Sequence, residues 1–309
     1  MRRLGYRPQR TLAATAEVRG VGFVTGATVR LRFHPAAADS GLVFLRSDLA
    51  SRPRTPVRPD RVTNTNRRTT LGSPDSGVTL AEHALSALAG LRIDNCLIEI
   101  DGPEPPGLDG SAHGFVEALN AAGVVLQSAR RSIWGVTEPL VVTHGAATIA
   151  LHPPTEGLQL RASYLLDYGL LAPIPRQAFT TLVSPETFTR DIAGCRTFLL
   201  ESEANALRQQ GIGKHLTVSQ LLVFGPKGPI ENRLRHADEP ARHKVLDLIG
   251  DLSLCGFDLA GHLVAYRSGH SLNVALATAL VAAATKTITA DVVVTTPPRT
   301  ASRRRVAAA

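Results

Sequence analysis

The sequence predicts a mixed chain of strands and helices in two similar halves. Three observations point to it. Runs of Val, Leu, Thr and Phe punctuated by Gly and Pro give way to helical apolar spacing twice, each time as meander, helix, strand, turn, helix. His83 precedes Ser111 by 28 residues and His243 precedes Ser271 by 28, an offset of about 160 residues that reads as an internal duplication. At 309 residues, 44% apolar and 19% charged, the chain is long for one core and comfortable for two.

Taken in order, residues 11–18, 28–33 and 41–46 carry Val, Leu, Thr and Phe with partial alternation, and glycines punctuate them as a β meander. Residues 51–68, rich in Pro, Arg, Thr and Asn, read as an irregular connection or a surface strand pair. Over 79–91, Leu80, Ala84, Leu85 and Leu88 fall at helical spacing and Gly90 is placed to end the helix. A short buried strand (95–100), a rigid Gly/Pro turn (102–110) and a second helix (111–122) complete the first half, 1–130. The second half, 131–290, repeats the order, with strands near 132 and at 140–142, 147–151, 158–165 and 177–182. A short helix or connector (185–190), a polar helix (201–210), a strand (216–224), a helix (239–255), a strand (262–267) and a buried helix (271–284) follow. Residues 287–309 read as at most one strand and a disordered tail, the tail taking 291–309.

The formal charge of +8 resides in the ends: Arg2, Arg3, Arg7 and Arg10 at one, Arg299, Arg303, Arg304 and Arg305 at the other, with no acid among either group. The body between is neutral, which argues against a basic nucleic-acid groove in it. Loose basic ends suit peripheral contact with an anionic membrane surface, or serve solubility alone. Cys96, Cys195 and Cys255 make neither a disulfide framework nor a thiolate site, so a reducing cytoplasm is expected. No apolar stretch follows the first ten residues as a signal peptide would require, and the run 274–284 is too short to span a bilayer.

The chemistry concentrates in the helix 239–255. Val245, Leu248, Ile249 and Leu252 form its buried stripe, while His243, Asp247 and Asp251 stack turn on turn beside it. In isolation, a His and an Asp one turn apart are an ordinary solvated helix face. If the halves pack face to face, however, the first helix brings His83 to His243 and Asp247. Two imidazoles and one carboxylate form a metal site, typically for zinc, with a fourth position left open. Glu82, beside one ligand, is then placed as a general base. Lys244 is a candidate cation for a developing oxyanion, and His270, at a helix start, a candidate acid or electrostatic partner. Asp251 can orient that imidazole and hold it protonated.

Motifs specific in combination and order surround these residues. They are Gln9-Arg10-Thr11-Leu12, Gly20-Val21-Gly22, Thr25-Gly26, Glu82-His83 continuing to Leu91, Asp94-Asn95, Gly102-Pro103-Glu104 and Asp109-Gly110-Ser111. Arg196-Thr197-Phe198, Arg242-His243-Lys244 through Leu252, Ser268-Gly269-His270 and Leu272-Asn273 follow. Over residues 9–285 the chain resembles the UDP-3-O-acyl-N-acetylglucosamine deacetylase family of lipid A biosynthesis. The resemblance implies two α+β domains, each a sheet layered with helices, the helices of both packed between the sheets. It implies zinc on His83, His243 and Asp247, with Glu82 as base and Lys244, Asp251 and His270 in support. Thr197 as an aid to the oxyanion, Phe198 as a substrate contact and an acyl passage near 199–224 come from the resemblance alone. It also implies a UDP-sugar lipid substrate, with the protein expected to act as a monomer. The chain departs from the family pattern at Phe23-Val24, Leu199-Leu200, residues 216–220 and Val274. The same amide hydrolysis on a different N-acyl sugar, and a non-catalytic membrane-surface protein, are the alternatives.

Overall fold

The computed structural model describes residues 1–155, 157–218 and 220–295. The first half comprises β1 (Arg2–Leu12), β2 (Ala16–Val21), β3 (Thr28–Pro35), β4 (Leu42–Arg46), β5 (Arg54–Pro56), β6 (Val62–Asn64), β7 (Thr70–Leu71), α1 (Glu82–Gly90), β8 (Cys96–Ile100) and α2 (His113–Ala122). β9 (Val124–Gly135) leads into the second. There follow β10 (Leu140–His144), β11 (Ala147–His152), β12 (Leu160–Leu166), β13 (Gln177–Leu182), α3 (Pro185–Thr187), β14 (Phe198–Leu200), α4 (Glu201–Gln209), β15 (Leu222–Gly225), β16 (Gly228–Pro229), α5 (Glu239–Leu252), β17 (Asp258–Leu259), β18 (Gly261–Tyr266) and α6 (His270–Thr295).

The chain is α+β, and its repeat is visible in strand order. One five-stranded sheet runs β2-β3-β8-β4-β5 and the other β10-β11-β18-β12-β13. In each, the last strand in chain order lies at the centre, antiparallel to one neighbour (β3 or β11) and parallel to the other (β4 or β12). Alternation gives each sheet one inward face. β3 turns Val29, Leu31 and Phe33 in and Arg30, Arg32 and His34 out; β18 turns in Leu263 and Ala265. A single apolar cluster contains Phe33 and Ile98 from one sheet, Leu85 and Leu88 of α1, Val245 and Leu248 of α5, and Ile149 and Leu263 from the other.

Helices α1 and α5 meet backbone to backbone. Ser86 donates its hydroxyl to the Leu246 carbonyl at 2.8 Å. A Cβ placed on Gly250 would lie 2.2 Å from the Glu82 carbonyl oxygen, so only glycine permits this approach. The third sheet, β1-β9-β17, ties the halves together.

Four expectations need correction. The first ten residues are no loose basic end: Arg2–Leu12 is a strand paired with β9. Arg7 explains part of it, since its guanidinium is held by Asp94 at 2.7 Å and Asp258 at 2.5 Å. The strand expected over 11–18 breaks at residues 13–15, between β1 and β2. The strand expected over 216–224 contracts to Leu222–Gly225; Gly211 and Gly213, at φ +87° and +68°, turn the chain ahead of it. The last helix does not stop near 284 but runs to Thr295. The hydroxyls of Thr285, Thr287 and Thr289 donate to the carbonyls of Val281, Ala283 and Thr285 at 2.9–3.1 Å, so residues that favour strands are accommodated in a helix. The tail expected over 291–309 lies, from residue 296 on, outside the described residues. Among the described residues one helix, α6 over His270–Thr289, is long and apolar enough to cross a membrane, but Leu272, Leu276, Ala277 and Leu280 bury in the core.

Candidate active site

The site forms where α1, α5 and α6 converge. Glu82 and His83 open α1, His243, Asp247 and Asp251 share one side of α5, and His270 opens α6. The ligating atoms of His83, His243 and Asp247 lie within 4.8 Å of one another. Asp247 Oδ1 stands 3.5 Å from His83 Nε2 and 3.4 Å from His243 Nε2, and the two rings are nearly perpendicular.

Local contacts prepare each group. His243 Nδ1–H donates to the Cys195 carbonyl at 3.0 Å, which leaves the Nε2 lone pair facing the cluster. Burial pushes His243 down to about 4, so the ring is neutral as a ligand must be. Lys244 Nζ donates to Asp247 Oδ2 at 2.5 Å, leaving Oδ1 for the histidine side. Burial opposes ionisation of both partners, yet their attraction wins: Asp247 is held well below the usual carboxylate range and Lys244 above the usual ammonium range. Two imidazole nitrogens and one carboxylate oxygen converging at this spacing fit a divalent metal ion.

On one side of this cluster lies Glu82, buried, its carboxyl pushed up by burial against the pull of His270 and His83. Its Oε2 accepts the Thr69 backbone N–H at 3.0 Å, and its Oε1 is 3.9 Å from His270 Nε2. His270 Nδ1–H donates to Asp251 Oδ2 at 2.9 Å. Burial opposes its charge, but the Asp251 and Glu82 carboxylates outweigh burial and push it up to about 9, an imidazolium at neutral pH. Asp251 in turn accepts from Thr69 Oγ1 at 2.5 Å and Asn273 Nδ2 at 2.9 Å, and Ser268 Oγ donates to Asn273 Oδ1 at 2.7 Å.

All nine residues singled out from the sequence come together here. A cavity of about 520 Å³ is lined by Glu82, His83, Thr197, Phe198, His243, Lys244, Asp247 and His270, with Asp251 fully buried behind His270. Thr197 is fixed by its N–H to the Gly110 carbonyl at 2.7 Å. Phe198 packs edge-on to His243, ring centroids 6.1 Å apart, and to Tyr168 at 6.0 Å. A second cavity of about 340 Å³ shares Phe23, Leu80, Thr197 and Leu199 with the first and continues under α4, lined by Leu207, Ile212, Leu216, Leu221 and Val223.

Sequence reasoning missed Thr69, Tyr164, Tyr168 and Arg267. Thr69 is fully buried and binds Glu82 and Asp251 from opposite halves, but Thr69-Thr70-Leu71 carries neither periodicity nor a ligand spacing. Arg267, Leu80 and Arg67, all cavity-lining, adopt φ of +52°, +54° and +60°, a conformation that L-residues take at a cost.

Two histidines and a carboxylate able to hold a metal ion, flanked by a raised carboxyl and an imidazolium where α1, α5 and α6 converge, suit a deacylating hydrolase. Residues 9–282 match the model of the UDP-3-O-acyl N-acetylglycosamine deacetylase family. Curated relatives named UDP-3-O-acyl-N-acetylglucosamine deacetylase include one from Trichormus variabilis, 39% identical over 279 residues (89% of this chain, 98% of the relative). Others come from Thermosynechococcus vestitus (41% identical, 88% and 93% covered) and Chlamydia abortus (39% identical, 87% and 95% covered). The chain belongs to this deacetylase family.

Proposed function

We propose that this protein is a zinc-dependent amidase that removes the N-acetyl group of UDP-3-O-acyl-N-acetylglucosamine, giving UDP-3-O-acyl-glucosamine and acetate for lipid A biosynthesis. The observation that carries the reading is the pair Glu82 and His270, 3.9 Å apart beside the His83–His243–Asp247 cluster. His83, His243 and Asp247 would hold the zinc, which when bound supplies Lewis acidity toward the amide carbonyl and toward water. Glu82, its carboxyl raised by burial yet ionised in its working state, takes the proton of the attacking water. Lys244 and Thr197 face the oxygen on which negative charge develops, and Phe198 contacts the substrate. His270, kept charged by Asp251, stabilises that charge or supplies the proton to the leaving amine. One water and one amide thus become one acetate and one amine. The apolar second cavity would take the acyl chain, and the amide would lie in the first.

A second reading is favoured by one observation. Val24, Leu199, Leu216 and Val218, all in segments that depart from the family pattern, line the second cavity. The same hydrolysis on an N-acyl sugar with a different acyl chain follows from that. The domain division at 1–130 and 131–290, a monomeric state, a cytoplasmic location supported by three free buried cysteines, and peripheral contact with the inner membrane surface belong to the same proposal.

The test is acetate release by zinc-loaded protein with Glu82→Gln in parallel. Parent turnover and a variant that keeps zinc but loses at least about 100-fold in rate, the usual order for a proton-transfer group, are expected. Equal turnover in both removes Glu82 from its role. No turnover by a folded, zinc-binding parent favours the changed substrate.

A further inference from the structure

We infer that the loop joining β12 to β13 docks the mouth of the active site onto an anionic lipid surface. The loop is firmly placed. Asp167 accepts the Gly169 N–H at 2.8 Å and the Tyr266 hydroxyl at 3.0 Å. Tyr168 packs on Phe198 at the cavity wall, and Ile174 is 1% exposed. Between these anchors Leu170 and Leu171 stand 86% and 101% exposed, the most exposed large apolar side chains among the described residues. A loop that buries its neighbours and presents two consecutive leucines outward is built to place them in something apolar.

Charge selects the occupant. Around the two cavities, outside the zinc-site cluster, stand Arg67, Arg68, Arg208 and Arg267, with Arg176 bonded to Asp167; the acids there are Asp167 and Glu203. Five guanidinium groups against two carboxylates make this rim cationic, although the body between the basic ends carries no net charge. Two insertable leucines beside an excess of arginine suit the interface of an anionic bilayer, where apolar depth and headgroup attraction add. The docking deepens the deacetylase reading and rests on it for its use: an acyl-bearing substrate would be met at the surface where acyl chains collect.

The test is flotation of the full chain with vesicles of phosphatidylglycerol and phosphatidylcholine, or of phosphatidylcholine alone, without substrate. The parent should float with the anionic vesicles, less so at high salt. Leu170→Ser/Leu171→Ser should weaken binding at least about tenfold, since transferring even one leucine side chain from water to lipid is worth on the order of tenfold. Its zinc content and acetate release from a short-acyl soluble substrate should be unchanged. Equal flotation of parent and double variant overturns the proposal. Absence of flotation, or a dimer that the double variant dissociates, overturns it too. A parent that floats but releases no acetate moves the reaction to the changed substrate and leaves the docking standing.

Discussion

Replacing Gly250 by alanine sets two effects of opposite sign against each other. In an ordinary helix interior the change stabilises by about 1 kcal/mol, because alanine loses less conformational freedom. Here the new methyl would lie 2.2 Å from the Glu82 carbonyl oxygen, 3.0 Å from its carbon and 3.2 Å from its Cα. All three atoms are backbone, so no rotamer change gives relief. Ordinary contact begins near 3.4 Å, so α1 must retreat from α5 by about 1 Å. Overpacking of this kind costs about 1–3 kcal/mol and offsets the propensity gain. The displacement also lands on the site, since the residue pushed is Glu82 and the next is His83, while His243 and Asp247 stay on α5. Ligand distances tolerate only about 0.2 Å, and a misplacement of about 1 Å can cost about 100-fold in rate. Thermal unfolding, zinc titration and acetate release should therefore show a lower Tm, weaker zinc and a turnover loss larger than the stability loss. A raised Tm with unchanged zinc affinity and turnover would refute the backbone contact as the determinant of site geometry.

Other substitutions probe the same architecture. Thr69→Val removes the hydroxyl that Asp251 accepts and should cost about 1–3 kcal/mol in a urea melt and most of the turnover, whereas Thr69→Ser should restore both. A Val variant as active as the parent would deny Thr69 its positioning role. His83→Ala should lower zinc occupancy after dialysis against chelator while Glu82→Gln does not; full occupancy in His83→Ala would break the ligand assignment. Glu239 is held below its usual range: burial opposes this, but Arg196 and backbone N–H groups of Arg196 and Arg235 overcome it. A depressed folded pKa gives stability that is complete above the unfolded value, about 4.3, and is lost as pH falls through the folded one. Urea midpoints between pH 7 and 3 should therefore drop more steeply in the parent than in Glu239→Gln, and parallel slopes would contradict the assignment.

What the sequence made legible follows from locality. The stripe Val245, Leu248, Ile249 and Leu252 and the stack His243, Asp247 and Asp251 lie within one helix, where spacing alone fixes direction. The equal intervals from His83 to Ser111 and from His243 to Ser271 exposed the repeat, and the repeat brought the distant His83 to the cluster. What stayed hidden depends on remote partners. Arg2, Arg3, Arg7 and Arg10 read as a charged end because the carboxylates that hold Arg7 lie 87 and 251 positions away. Thr69 meets Asp251 across 182 positions with no motif to announce it. The threonines near the end of α6 favour strands by propensity, and their hydroxyls are satisfied by carbonyls within the helix, which no local pattern announces.

The three-stranded tie β1-β9-β17 also dictates a timetable for the nascent chain. At about 5–20 residues per second, β1 leaves the ribosome roughly 6–25 s before the end of β9, and Arg7 waits roughly 12–50 s for Asp258. During that interval the first five-stranded sheet, complete by residue 100, can close while β1 trails as an unpaired edge bearing arginine. A product truncated before residue 124 never acquires β9 and keeps that edge open for pairing with another chain. The His83–His243–Asp247 cluster assembles later still, on the emergence of His243 and Asp247, so no metal ion can be held there until most of the chain has been made.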